Sequence, residues 1–112
     1  MSQLRNEDPE PSLLRILQPD EELEVHARAM DGIVAATNRR LVVTSNDRVI
    51  LDVAYGELRR IQFDIERGRP ATFVVVPDDP SNPPEVLAIP ASDYANVGHV
   101  LALIGHRMAQ RD

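Results

Sequence analysis

From residue 23 to residue 90 the chain is cut into short runs with apolar residues at about every second position, each run ending in a turn signal. That pattern confines it to β-sheet, because successive side chains along a strand point to opposite faces. The first run, 23–30, alternates Leu23, Val25, Ala27 and Ala29 with Glu24, His26, Arg28 and Met30. Asp31 and Gly32 tolerate positive φ, so a tight hairpin is expected to lead into a second strand at 33–37. Asn38 interrupts that run, RLVVTS at 40–45 forms a third, and Asn46-Asp47 turns the chain into a fourth at 48–53. A fifth run covers 58–65, with Leu58, Ile61, Phe63 and Ile65 apolar. After a turn at 66–70 comes TFVVV at 72–76, then a loop with four prolines, then a seventh run at 85–90. Proline cannot donate to a ladder, so the loop is not strand.

Spacing changes at the C-terminus. Tyr94, Val97, Val100, Leu101, Ile104 and Met108 recur at intervals of three and four, behind the capping candidates Ser92 and Asp93. This is an amphipathic helix with one apolar face. The fold class expected is mainly β: a partly open barrel of about seven antiparallel strands, capped by that helix. A short N-terminal helix at 12–17 is expected as well, capped by Ser12, stopped by Pro19 and docked through Leu13, Leu14, Ile16 and Leu17. Residues 1–11 read as a flexible acidic leader, and 12–110 as a single domain, since 112 residues supply one core.

Composition excludes several function classes. The formal net charge is -6 and every basic residue is Arg, which disfavours nonspecific binding to nucleic acid or to an anionic membrane. Without cysteine there is no disulfide, thiolate metal site or thiol nucleophile. No signal peptide or bilayer-spanning run is visible, so the expected location is the cytoplasm. Absence of Trp and only four Phe and Tyr residues leave few stacking surfaces and a core of Val, Ile, Leu and Ala.

Three segments carry a resemblance: LLRILQPDEELEVHARA at 13–29, TNRRLVVT at 37–44 and VAYGELRRIQF at 53–63. Together with the terminal helix they resemble the bacterial pleckstrin-homology-like domains of the YokE-like group, over 12–107. The resemblance implies a barrel closed by its C-terminal helix and members that form symmetric rings. Within the motif, Thr37 and Arg40 would satisfy backbone groups at the turn while Leu41 fills the barrel. Fold alone does not choose a function, because this architecture hosts many binding roles.

Candidate sites follow from the remaining residues. An anion site for lipid headgroups or phosphate would use Arg39, Arg40, Arg48, Arg59 and Arg60, whose guanidinium forks suit phosphate. Against it, the first hairpin, where lipid-binding relatives place their basic residues, holds only Arg28 beside Asp31. Arg pairs on strands also more often form surface ion pairs. His99 and His106 are seven residues apart and lack the i, i+4 spacing of a helical zinc site, and His26 lies far off on a strand, so no metal is expected. No cofactor motif or nucleophile-base set is recognisable, and catalysis, as an uncharacterised hydrolase, ranks third. Apolar on both faces, Phe73, Val74, Val75 and Val76 are expected to be covered within the monomer or to meet a partner along an edge strand. The function expected is therefore a noncatalytic binding or self-assembly module, a homo-oligomer or partner binder, with an anionic lipid or phosphate binder as the alternative.

Overall fold

The computed structural model describes residues 15–46 and 48–109. The expected leader and the start of the short helix at Ser12 lie outside them. Seven strands follow in order: β1 (Leu23–Arg28), β2 (Gly32–Thr37), β3 (Arg40–Ser45), β4 (Arg48–Ala54), β5 (Leu58–Asp64), β6 (Ala71–Pro77) and β7 (Glu85–Ile89). Single 3-10 turns, Tyr55–Glu57 and Ala91–Asp93, precede β5 and the terminal helix α1 (Tyr94–Ala109). All pairings are antiparallel, in a four-stranded sheet β1-β2-β3-β4 and a three-stranded sheet β5-β6-β7. The Met30 amide donates to the Ala88 carbonyl at 2.8 Å, which brings the end of β1 against β7. β4 and β5 are thus the outer margins of a partly open barrel, as the alternation implied.

One core lies between the sheets and α1. Val34, Leu41, Val43, Phe73, Val75 and Ile89 are buried in it, as are Val97, Val100 and Ile104 of the helix. Tyr94, Leu101 and Met108 pack against it half-buried, so the whole expected helix face is engaged, together with Leu103. Phe63 meets both Phe73 and Tyr94 edge-on, at 6.4 and 5.7 Å between ring centroids, and ties the start of α1 to the second sheet. At its other end Arg107 donates to Glu24 of β1 at 2.8 Å.

Three local details depart from the sequence reading. Register shifts between Leu23 and Val25, so Leu23 leaves the inner face that Val25 and Ala27 keep and packs with Ile33 and Ala35 on the outer one. Gly32 does not have positive φ: among the described residues only Asn46 (φ 53) and Gly68 (φ 83) do. Gly32 is required instead because a Cβ there would sit 1.9 Å from the Thr44 carbonyl oxygen of β3. Ile65, counted among the apolar positions of the fifth strand, falls beyond β5 and is exposed.

Candidate functional site

The TNRRL motif forms a dense polar cluster at the β2–β3 turn. Thr37 Oγ1 accepts the amides of Arg39 and Arg40, both at 3.0 Å, which closes the turn as the resemblance implied. It donates in turn to Glu21 at 2.6 Å. Arg40 reaches away from the turn: its Nε and one terminal nitrogen hold Glu21 at 2.8 and 2.9 Å, the other terminal nitrogen meets Asp52 at 2.5 Å, and the Ile16 carbonyl accepts at 2.8 Å. Leu41 is buried in the barrel. Glu21 also receives the Gln18 amide at 3.0 Å.

Electrostatics follow from that geometry. Hydrogen bonding by Arg40, with help from Thr37 and Gln18, lowers the Glu21 carboxyl to about 2 although burial opposes ionisation. Arg40 is raised by the same pair. Burial pushes the Tyr55 phenol up to about 12, and its hydroxyl donates to the Thr37 carbonyl at 2.6 Å. Every strong contact here joins one part of the chain to another. The cluster pins the stretch from Ile16 to Glu22 over the outer face of the first sheet, where Ile16 and Leu23 cover Ile33 and Ala35.

The residues of the expected anion site are placed apart. Arg40 is committed to Glu21 and Asp52, and Arg39 to Asp20 and Gln18. Arg48 lies at the opposite end of the β3–β4 ladder, opposite Ser45, whereas Arg40 is opposite Ala54. Arg59 and Arg60 are exposed on β5 in the other sheet. The five guanidinium groups therefore do not converge. A carboxylate pair, Asp20-Glu21, next to the short helix was the signal in the sequence for where Arg39 and Arg40 go.

Among the described residues, two clefts open to solvent bear on the site. One, of about 250 Å³, lies under the first hairpin, lined by Arg28, Met30, Asp31, Gly32 and Thr44 among others. A second, of about 330 Å³, lies between β4 and the loop after β6, with Asp52, Glu57, Asp78 and Asp79 around it. Ser81 donates to Asp79 through its amide and hydroxyl and holds that carboxyl below its ordinary range. Among the described residues no three His, Asp or Glu side chains are placed to share a metal ion. His99 and His106 are exposed on α1. Asp93 is buried and accepts the Arg28 amide at 2.7 Å, fastening the start of α1 to β1.

The two faces of the apolar strand at 72–76 have different surroundings. β6 is the central strand of its sheet, so it offers no edge, and Phe73 and Val75 are fully buried in the core. Val74 and Val76 point outward. In register they stand beside Gln62 and Arg60 of β5, and Val74 also faces Val86 of β7, which is 64% exposed. Neither core cluster includes these outward valines. The edge belongs to β5, which pairs with β6 alone among the described residues.

No protein-family model matches the chain, and no curated protein does. Solved structures do match. A DUF1696 family protein with a pleckstrin-homology domain from Shewanella loihica superposes with a TM-score of 0.63 at 17% identity, over 86% of this chain and 89% of that one. A pleckstrin-homology domain from Shewanella amazonensis gives 0.61 at 16% identity, over 87% and 92%. The chain shares the fold of these bacterial domains. No helix in the described residues is long and apolar enough to cross a membrane.

Proposed function

We propose that this pleckstrin-homology-like domain is a noncatalytic module that works by self-assembly, through the outer side of its second sheet. One observation carries the reading: Val74, Val76 and Val86 form an outward apolar row that neither core cluster includes, beside β5, which among the described residues pairs in a sheet with β6 alone. Apolar rows on a sheet face are usually covered, and an open strand margin is a template for another chain. The buried polar groups support a noncatalytic role, since Glu21, Thr37, Asp93 and Tyr55 are all engaged in holding segments of the chain together. The arginines of the competing anionic-ligand reading are spread over both sheets, with Arg40 paired to Glu21 and Asp52 and with Arg59 and Arg60 exposed on β5.

Multi-angle light scattering over a dilution series tests this. Expected is a mass above that of one 12.5 kDa chain that falls on dilution. A single-chain mass at every concentration removes the reading, and sedimentation with anionic vesicles at low salt would then restore the lipid alternative.

A further inference from the structure

The cleft between β4 and the loop after β6 lies where the barrel is open. One side of it is β4, which among the described residues pairs with β3 alone and makes no backbone hydrogen bond to the rest of the chain on its other side. Every second residue of such a strand points its amide and carbonyl outward, as a template for another chain. The opposite wall is the loop after β6, fastened by the Asp78 amide, which donates to the Glu57 carbonyl at 2.8 Å. Leu51, Val53 and Pro77 line the cleft with apolar surface, and Glu57, Asp78 and Asp79 stand exposed around it. We infer that an extended basic segment of a protein partner adds to β4 as a strand here, seating an arginine or lysine side chain in the cleft with its cation among the three carboxylates.

The chemistry of the cleft selects that occupant. A long basic side chain has an apolar stem and a charged head, which match the apolar lining and the carboxylates at its rim. The volume, about 330 Å³, is at the small end of ligand sites and suits side chains carried on an extended backbone. Among the described residues Glu57, Asp78 and Asp79 form no salt bridge, whereas Asp52, also at the cleft, is held by Arg40. Ser81 donates twice to Oδ1 of Asp79, which fixes that carboxylate and leaves Oδ2 for an incoming donor. The three carboxylates are not placed to share a metal ion, so they suit basic side chains better than one small cation. Charge disfavours nearer occupants: the leading residues of the chain carry Glu7, Asp8 and Glu10 against Arg5, and a second copy has the same net charge of -6. The slot is separate from the outer face of the second sheet and works beside the proposed self-assembly.

Titration with a fluorescent hexapeptide of alternating arginine and valine tests this. Binding, read by polarisation, should be present at low salt and weaken as salt screens the carboxylates. The variant Glu57→Gln/Asp78→Asn/Asp79→Asn should bind about tenfold more weakly. Its circular dichroism should match the parent, because all three positions are exposed and the new amide oxygen at position 79 still serves Ser81. Two further peptides, each methylated on one alternate set of backbone nitrogens, should differ: one of them should bind the parent protein about tenfold more weakly, since only every second amide meets the strand. In amide hydrogen exchange the hexapeptide should slow β4 from Leu51 to Ala54 and leave β5 unchanged. Protection on β5, equal binding of all three peptides, equal binding by the triple variant, or no binding at low salt each overturns the β4 slot. Light scattering with the peptide separates the slot from self-assembly. An oligomer that persists with peptide bound supports a separate site, and one that dissociates as peptide binds assigns the slot to a second copy and overturns the basic partner.

Discussion

The outer face of the first sheet carries Ile33, Ala35 and Val42, all buried, whereas that of the second carries Val74, Val76 and Val86, partly or largely exposed. Both faces are built from the same β-branched and small residues. They differ in what lies across them: the chain from Ile16 to Glu22 is pinned to the first by the Glu21–Arg40 pair, and no described element is pinned to the second. An apolar face thus becomes core or surface according to whether a polar anchor elsewhere holds a strap over it.

That contrast can be broken most directly at the anchor. Arg40→Leu leaves the Glu21 carboxylate buried without its cation and should cost about 3 to 5 kcal/mol in urea unfolding. Removing both partners, Glu21→Leu with Arg40→Leu, should recover much of that loss, because the penalty comes from the orphaned charge. A cost near zero for the single variant would mean that the strap is held by its apolar contacts alone. On the inner faces, where the two sheets are alike, Phe73→Ala should cost a similar amount, about 3 to 5 kcal/mol, by opening a cavity in a fully packed core.

Acid tests the same anchor by another route. The Glu21 carboxyl is depressed from 4.5 to about 2, so its contribution is complete above the unfolded value and is lost as pH falls through the folded one. Unfolding free energy should therefore drop between pH 4.5 and 2 by on the order of 3 kcal/mol more in the parent than in Glu21→Gln. Equal slopes for the two proteins would disconnect the carboxylate from stability.

Smaller effects sharpen the picture of each sheet. Gly32→Ala forces β2 away from the Thr44 carbonyl and should cost about 1 to 3 kcal/mol, measured by the thermal midpoint, although the residue has ordinary φ. On the second sheet, Val86→Ser should change monomer stability by less than about 0.5 kcal/mol, because the side chain is already in water. A larger loss in the monomer would show that the face is covered after all.

Much of the fold was legible because alternation and helical spacing are local. The seven strands, the turns at Asn46 and Gly68 and the face of α1 all follow from residues close in sequence. The candidate site was much less legible. Arg40 lies 19 residues from Glu21 and 12 from Asp52, and nothing local distinguishes an arginine paired in this way from one free to bind phosphate. Phe73 to Val76 read as one apolar stretch, and only pairing on both sides separates two core residues from two outward valines on a central strand.

By itself, then, the sequence determined which residues alternate, where the chain turns and which helix face is apolar, since these depend on backbone geometry over a few residues. Tertiary structure alone decided that β6 is central and β5 marginal, that Leu23 changes face at a register shift, and that Thr37, Arg40 and Glu21 form an anchor. The physical reason is that periodicity reports which side a residue points to, while neighbours and partners are set by pairings between segments distant along the chain.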